Sequence, residues 1–211
     1  MATIAPGILG LWRGDPVILA SQSEGRAQLV ANAGIPFEVI PADLDERSVD
    51  GVESLSPQEQ AVRLASEKAR HVSLRNPGRT VIGADQTLAI GTRILHKASS
   101  IGNALTQLRE LAGRTHCLHS AVACTRDGAT QFAFVASATI HMRSFSEPVL
   151  RAYANAMGDR LLQTVGCYEI EGLGAHLIER IEGDMFTIIG LPIFQLLAGF
   201  RHLGLIVEET S

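Results

Sequence analysis

Two segments that alternate like strands, Cys117 to Thr125 and Gln131 to Met142, flank an Asp127-Gly128 pair. Asp-Gly accepts the positive φ values of a tight hairpin turn, so the two segments are expected to pair antiparallel. That central hairpin restricts everything else. Elsewhere strand-like and helix-like stretches take turns, which alone would suggest a parallel, doubly wound sheet. An antiparallel hairpin in their midst, with irregular alternation around it, argues against a Rossmann or barrel arrangement. The pattern predicts a single α/β domain built on a mixed, twisted sheet.

With 211 residues the chain is long enough for one substantial core, and no repeat or low-complexity linker divides it. Residues 1–14 read as a loose N-terminal extension and residues 15–211 as the domain. Apolar residues at 46% and charged residues at 19% exclude disordered and fibrous classes. A formal charge of −4 supplies no basic field, so neither nucleic acid nor a membrane is expected as a partner. No apolar run approaches the ~18 residues of a spanning helix, and the N-terminus lacks a basic leader. Three cysteines, Cys117, Cys124 and Cys167, form no C-x-x-C pair and fit a reducing compartment. A cytoplasmic protein is therefore expected.

Along the chain, the apolar run Pro16–Ala20 leads through Ser21, Ser23 and Arg26 into a helical pattern that stops at Gly34. Phe37–Ile40 reads as a strand, followed by the acidic loop Asp43-Leu44-Asp45-Glu46. Ser56-Pro57-Gln58-Glu59 has an N-cap, a proline at N1 and Glu at N3, which opens a helix running to about Asn76-Pro77-Gly78. Val81–Ala84 is a buried-strand pattern that turns polar at Asp85, where the strand is expected to end. After a turn at Gly91 come a helix over Ala104–Leu111 and the hairpin. A helix from Ser146-Glu147-Pro148, a strand over Gly174–Ile181 and a helix after Pro192 complete the reading.

Several residues could carry chemistry. Ser21, Ser23 and Arg26 stand at a helix N-terminus, whose free N–H groups and dipole suit an anion, and Arg adds bidentate phosphate contact. Ser23 or Ser21 could equally be a plain N-cap. Asp85 at a strand end and Glu46 in the acidic loop suit a divalent metal shared with substrate phosphates, or activation of water. A turn carboxylate and a solvated loop are the bland alternatives. Of 18 Lys plus Arg, only Lys68 and Lys97 are lysines; a compact ammonium differs chemically from a planar guanidinium, so both are candidate phosphate partners. Glu171 lies in a glycine-punctuated loop. His116, Cys117, His119 and Cys124 lack metal-ligand spacing and alternate in facing, so no metal site is expected there. G-x-x-x-x-G-K-[ST] and G-x-G-x-x-G are both missing, which removes support from the P-loop and dinucleotide classes.

Taken in order, several segments resemble one family. They are Leu19-Ala20-Ser21-Gln22-Ser23 with Arg26, Gly34–Val39, Asp43–Glu46, Glu67-Lys68-Ala69, Val81–Asp85 and Gly113–His116. Glu171-Gly172-Leu173-Gly174, Glu179–Gly183 and Gly190-Leu191-Pro192 extend the match. The chain resembles the Maf family of nucleoside triphosphate pyrophosphatases from about Val17 to the C-terminal helix. The resemblance implies a two-lobed α/β fold, similar to the inosine triphosphatases, with a central cleft. In it, a nucleoside triphosphate is cut between its α- and β-phosphates to monophosphate and pyrophosphate.

By position, Asp85 matches the family's proton acceptor and Glu46 an acidic residue for metal or catalysis. Both are candidate ligands of a divalent cation such as Mg, Mn or Co. Ser21, Ser23, Arg26, Lys68 and Lys97 match the phosphate-handling set. The implied partner is the nucleotide, with room left for a homodimer. Gly25 stands where the family carries a large residue, and Gln86 with Glu171 replaces the Thr and Gln of the dTTP/UTP branch. That pair looks like the 7-methyl-GTP branch, because a carboxylate can accept from the guanine N1–H and N2–H₂ edge. The competing reading is a non-catalytic nucleotide-binding regulator of septum formation.

Overall fold

A computed structural model describes residues 10–207. Its centre is the expected hairpin, β5 (Thr115–Arg126) and β6 (Ala129–Met142), paired antiparallel through a turn in which Asp127 (φ 51°) and Gly128 (φ 77°) both adopt the left-handed region. β5 pairs in turn with β3 (Thr80–Ile90) along almost its whole length. The other edge of β3 is shared. Its first half takes β1 (Val17–Leu19) in parallel, and β1 takes β2 (Phe37–Val39) in parallel; its second half takes β4 (Arg93–Leu95) antiparallel. With β7 (Ile178–Glu182) on β6, the result is one seven-stranded mixed sheet in the order β2-β1-β3-β5-β6-β7, with β4 beside β3. The single α/β domain with a mixed sheet is thus observed.

Three apolar clusters cover the sheet. Helix α2 (Pro57–Ser73) lays Ala61, Ala65, Ala69 and Val72 on one face, over Ile18, Val81, Ala121 and Ala123. On the opposite face α1 (Glu24–Asn32) and α6 (Ile193–His202) bury Leu29, Val30, Leu196 and Phe200 against Ile82, Ala84 and Val122. Helices α3 (Ile101–Leu111) and α4 (Glu147–Met157) pack with Leu88, Leu95, Leu118 and Ile140 at the far end of β3 and the hairpin. A short helix, α5 (Met185–Ile189), links β7 to α6.

Four expectations change. Asp85 does not end its strand: β5 hydrogen-bonds β3 on past it, from Thr80 to Ala89, and keeps the backbone extended. β4 is not legible as a strand in the sequence, since only three residues pair there across the Gly91 turn. The segment from Gly174 is not a strand until Ile178; Gly172 N–H and Gly174 N–H both donate to Glu169 O, which curls Leu173–Leu177 into a 3₁₀ turn. Residues 1–9 of the N-terminal extension lie outside the described residues, but its last part is held down. Trp12 bridges to Ile206 and packs edge-on against Phe200, while Arg13 N–H donates to Leu205 O.

The approach of α2 to β3 sets where the polar side chains of both elements can meet. Gly83 faces α2, and a Cβ there would fall 2.1 Å from Ala65 O and 2.6 Å from Ala69 N. Only a residue without a side chain permits that separation. Ala61, Ala65 and Val72 are spaced as one helical stripe, and Lys68 occupies the position between Ala65 and Val72 on it. The ammonium is therefore carried inward, onto the sheet, instead of into solvent. Gly83→Ala is expected to lower the unfolding free energy by about 2–3 kcal/mol, since the helix backbone must retreat. Urea unfolding at constant m checks this; a loss below ~0.5 kcal/mol would show that the helix is not seated so tightly.

Candidate functional site

Strand alternation sorts the polar end of β3 onto two faces. Asp85 and Thr87 share the face of Gly83, toward α2, where Thr87 Oγ1 donates to Pro57 O at 2.8 Å. Gln86 shares the face of Ile82 and Ala84, toward α5. Between the end of β1 and the start of β4 the edge of β3 has no strand neighbour, and the candidate residues gather around that gap.

On the α2 face, Lys68 Nζ lies 2.6 Å from Asp85 Oδ1 and 2.6 Å from Glu46 Oε1. Asp85 is 7% exposed, whereas the side chain of Glu46, at the start of a 3₁₀ turn, is half exposed. One ammonium thus gathers two carboxylates from separate parts of the chain. Burial pushes the Asp85 carboxyl above its ordinary value, and Glu46 adds to that; Lys68 and Arg26 oppose it.

At the gap itself, Arg26 takes the place of a missing strand. Its Nη1 donates to Ala84 O at 2.9 Å and to Ser21 Oγ at 3.2 Å, and its Nε donates to Gly190 O at 3.0 Å. Burial lowers the Arg26 guanidinium from its ordinary value, against the pull of Asp85 and Glu46. Ser23 is the N-cap of α1, its Oγ accepting from Arg26 N–H. Ser21 Oγ accepts from Ser23 N–H as well as from Arg26. Both hydroxyls accept from the protein and keep their own proton to donate. Lys97 lies exposed in the loop after β4. Partial loss of water around its ammonium lowers it, as do Arg26 and Lys68, with Glu46 and Asp85 opposing, so it feels the charge of Glu46, Asp85, Arg26 and Lys68 without pairing directly with them.

The remaining candidates meet on the α5 side. Gln86 and Glu171 line one pocket with Tyr168, Ile188 and Ile189. A Cβ at Gly25 would stand 3.1 Å from Ile189 Cγ2, so the space that a large residue would fill is bounded by α5. Sequence reasoning missed Ser120, Thr187 and Gly190, whose atoms hold Gln86 and Arg26; only the Gly190-Leu191-Pro192 segment carried a signal.

The His/Cys segment has other uses. His116 Nε2 pairs with Tyr168 Oη at 2.8 Å, and burial lowers this histidine to about 4. His119 Nδ1 lies 2.7 Å from Ser137 Oγ, and burial pushes the Cys124 thiol up to about 12. Among the described residues no three His, Cys, Asp or Glu side chains are grouped to hold a metal. Glu46 and Asp85 present two hard oxygen donors around one positive charge. That set suits a divalent cation sharing its remaining positions with phosphates and water. No described helix is long and apolar enough to cross a membrane.

The family model described as Maf-like protein matches residues 16–203. The chain belongs to this family. Among curated relatives, proteins called nucleoside triphosphate pyrophosphatase from Nitrobacter hamburgensis and Bradyrhizobium diazoefficiens are each 52% identical over 200 residues. Each alignment covers 94% of this chain and 99% of the relative. A protein from Rhizobium etli called 7-methyl-GTP pyrophosphatase is 44% identical, covering 90% of this chain and 97% of its own. Among solved structures, a HAM1 protein from Coxiella burnetii is 18% identical with a TM-score of 0.41, covering 60% of this chain and 72% of that one.

Removing Lys68 leaves Asp85 buried without its nearest cation. Lys68→Met is expected to cost about 3–5 kcal/mol at pH 7.5, because the buried carboxyl loses the cation that supports its charged form. The cost is smaller at pH 4.5. The sign follows from linkage: a folded-state carboxyl raised above its unfolded value binds more protons than the unfolded chain, so stability falls as pH rises between the two values. Losing Lys68 raises Asp85 further and widens that window. Urea unfolding at both pH values checks it, and an equal cost at each would show that Asp85 does not carry the effect.

Proposed function

We propose that this Maf-like protein hydrolyses nucleoside triphosphates at the α–β phosphoanhydride, yielding a nucleoside monophosphate and pyrophosphate. The observation that carries this reading is the Lys68 bridge between Glu46 and the buried Asp85, beside Arg26, which donates to the carbonyl of the preceding Ala84. The names of the Nitrobacter and Bradyrhizobium relatives support it.

The chemistry asks for little covalent work from the protein. Water attacks phosphorus, the phosphoanhydride bond breaks, pyrophosphate leaves with the bridging oxygen, and one proton must go somewhere. Asp85 accepts that proton; its raised carboxyl moves basicity upward from the ordinary carboxylate range, toward a useful general base. Lys68, Lys97 and Arg26 neutralise the charge on the phosphates, and the Ser21 and Ser23 hydroxyls donate to phosphate oxygens. Glu46 and Asp85 would hold a divalent cation (Mg, Mn or Co), which supplies further charge neutralisation when bound. A non-catalytic regulator would not require a buried carboxylate held in this way.

For the base, we infer a preference for guanine and its 7-methyl form. Gln86 and Glu171 share the pocket, and the Rhizobium etli relative is named for 7-methyl-GTP. A carboxylate facing the base complements both the donor edge of guanine and the positive charge of a 7-methylated ring. Gly25, beside Ile189, sets how closely α1 borders that pocket.

Pyrophosphate release from a nucleotide panel with Mg²⁺, Mn²⁺ or Co²⁺ tests the activity. Asp85→Ala is expected to lower kcat by at least ~10²-fold while leaving the fold intact by circular dichroism. If wild type and Asp85→Ala release pyrophosphate equally, or neither releases any, the hydrolase reading fails. Lys68→Arg and Lys97→Arg keep the charge but replace a point ammonium with a planar fork. Each is expected to reduce kcat/KM about tenfold or more, and near-normal rates in both would show that any cation suffices.

A further inference from the structure

The C-terminal turn of α5 has carbonyls that no further helical turn can satisfy, because the chain breaks at Gly190, with φ 113°. The sheet satisfies them. Gln86 Nε2 donates to Ile188 O at 2.9 Å and to Thr187 O at 3.1 Å, and lies 2.8 Å from Ser120 Oγ. Ser120 Oγ, fully buried on the adjacent strand, donates to Thr187 O at 2.6 Å. Gln86 and Ser120 are register partners on β3 and β5, so their side chains emerge from the same face side by side.

This arrangement dictates which way the Gln86 amide points. Backbone carbonyls only accept, so an inverted amide would set Oε1 against two of them. Ser120 adds a third reason: its single proton is spent on Thr187 O, so toward Gln86 it can only accept. Three acceptors therefore surround the amide nitrogen. Oε1 is the amide atom left over, and Gln86 lines the pocket that also holds Glu171.

We propose that Ser120 is a positioning residue for base selection: by accepting from Gln86 Nε2 while bonded to Thr187 O, it fixes Gln86 Oε1 as an acceptor for the base. The pocket then offers acceptors from both Gln86 and Glu171, which favours a base presenting two adjacent donors, as guanine does, over adenine. The inference rests on the nucleotide-binding part of the proposed function and not on turnover.

The test is therefore a binding measurement. Calorimetry with the non-hydrolysable α,β-methylene analogues of GTP and ATP is run on wild type, Ser120→Ala, Gln86→Leu and the double variant. Wild type is expected to bind the guanine analogue at least tenfold more tightly. Ser120→Ala is expected to cut that ratio about threefold, chiefly by weakening the guanine analogue, because the Thr187 and Ile188 carbonyls still hold the amide while the third contact is lost. Gln86→Leu, which has no amide to orient, should give a larger loss of about tenfold, and adding Ser120→Ala to it should lower the ratio no further. A merely structural Ser120 would weaken both analogues alike and add its effect in the double variant; either result overturns the proposal. A wild type without guanine preference does so too. Thermal unfolding of each variant is measured alongside, and if Ser120→Ala does not fold, Ser120→Cys, whose thiol fills the site but accepts weakly, is held to the same expected loss and the same overturning results. Pyrophosphate release from GTP is measured separately: intact preference without release would sink the hydrolase reading and leave Ser120's role standing.

Discussion

The close contact between α2 and β3 is the constraint on which the site depends. Gly83 lets the helix backbone come against the strand, and a stripe of alanines keeps it there. Within that stripe Lys68 is forced onto the sheet, two strand residues beyond the glycine, where Asp85 emerges on the same face. The ion pair is thus a product of packing. Buried pairs contribute little net stability over an apolar alternative, but losing one partner is costly. The pair keeps a carboxylate out of bulk water without leaving it alone.

The same strand serves two purposes because its side chains alternate. Odd-numbered positions carry Gly83 and Asp85 toward α2 and Lys68; even-numbered ones carry Ala84 and Gln86 toward α5. The gap between β1 and β4 gives access to both faces, and Arg26 bridges it by bonding Ala84 O on one side and Gly190 O on the other. Arg26 therefore ties β3 to the end of α5. A nucleotide has the same two-part nature, a charged chain and a flat base, and a strand edge that is polar on both faces suits it.

Much of the fold was legible in the sequence. The Asp127-Gly128 hairpin, the Ser56 capping box and the strand–turn–helix around Ser21 depend on local rules of turn and cap chemistry, and all three are observed. The failures came where non-local pairing overrides local pattern. Asp85 looks like a strand end because polarity marks ends, yet a full-length antiparallel partner carries β3 on to Ile90. The curl before β7 depends on Glu169 O, a contact that no periodicity reports. At the site, the two lysines stand out chemically against an arginine background; the structure pairs Lys68 with both carboxylates, while Lys97 stays exposed and feels them only at a distance. Ser120 was invisible, since one serine in an alternating strand looks like any other until its register partner is known.

We propose that Asp85, held between burial and Lys68, accepts the proton released by the attacking water. The pH dependence of kcat/KM for pyrophosphate release, in wild type and in Lys68→Gln, tests it most directly. At one fixed divalent-cation concentration, the acid limb should move to higher pH in Lys68→Gln than in wild type, whatever the loss in absolute rate. An acid limb that Lys68→Gln leaves in place would contradict it.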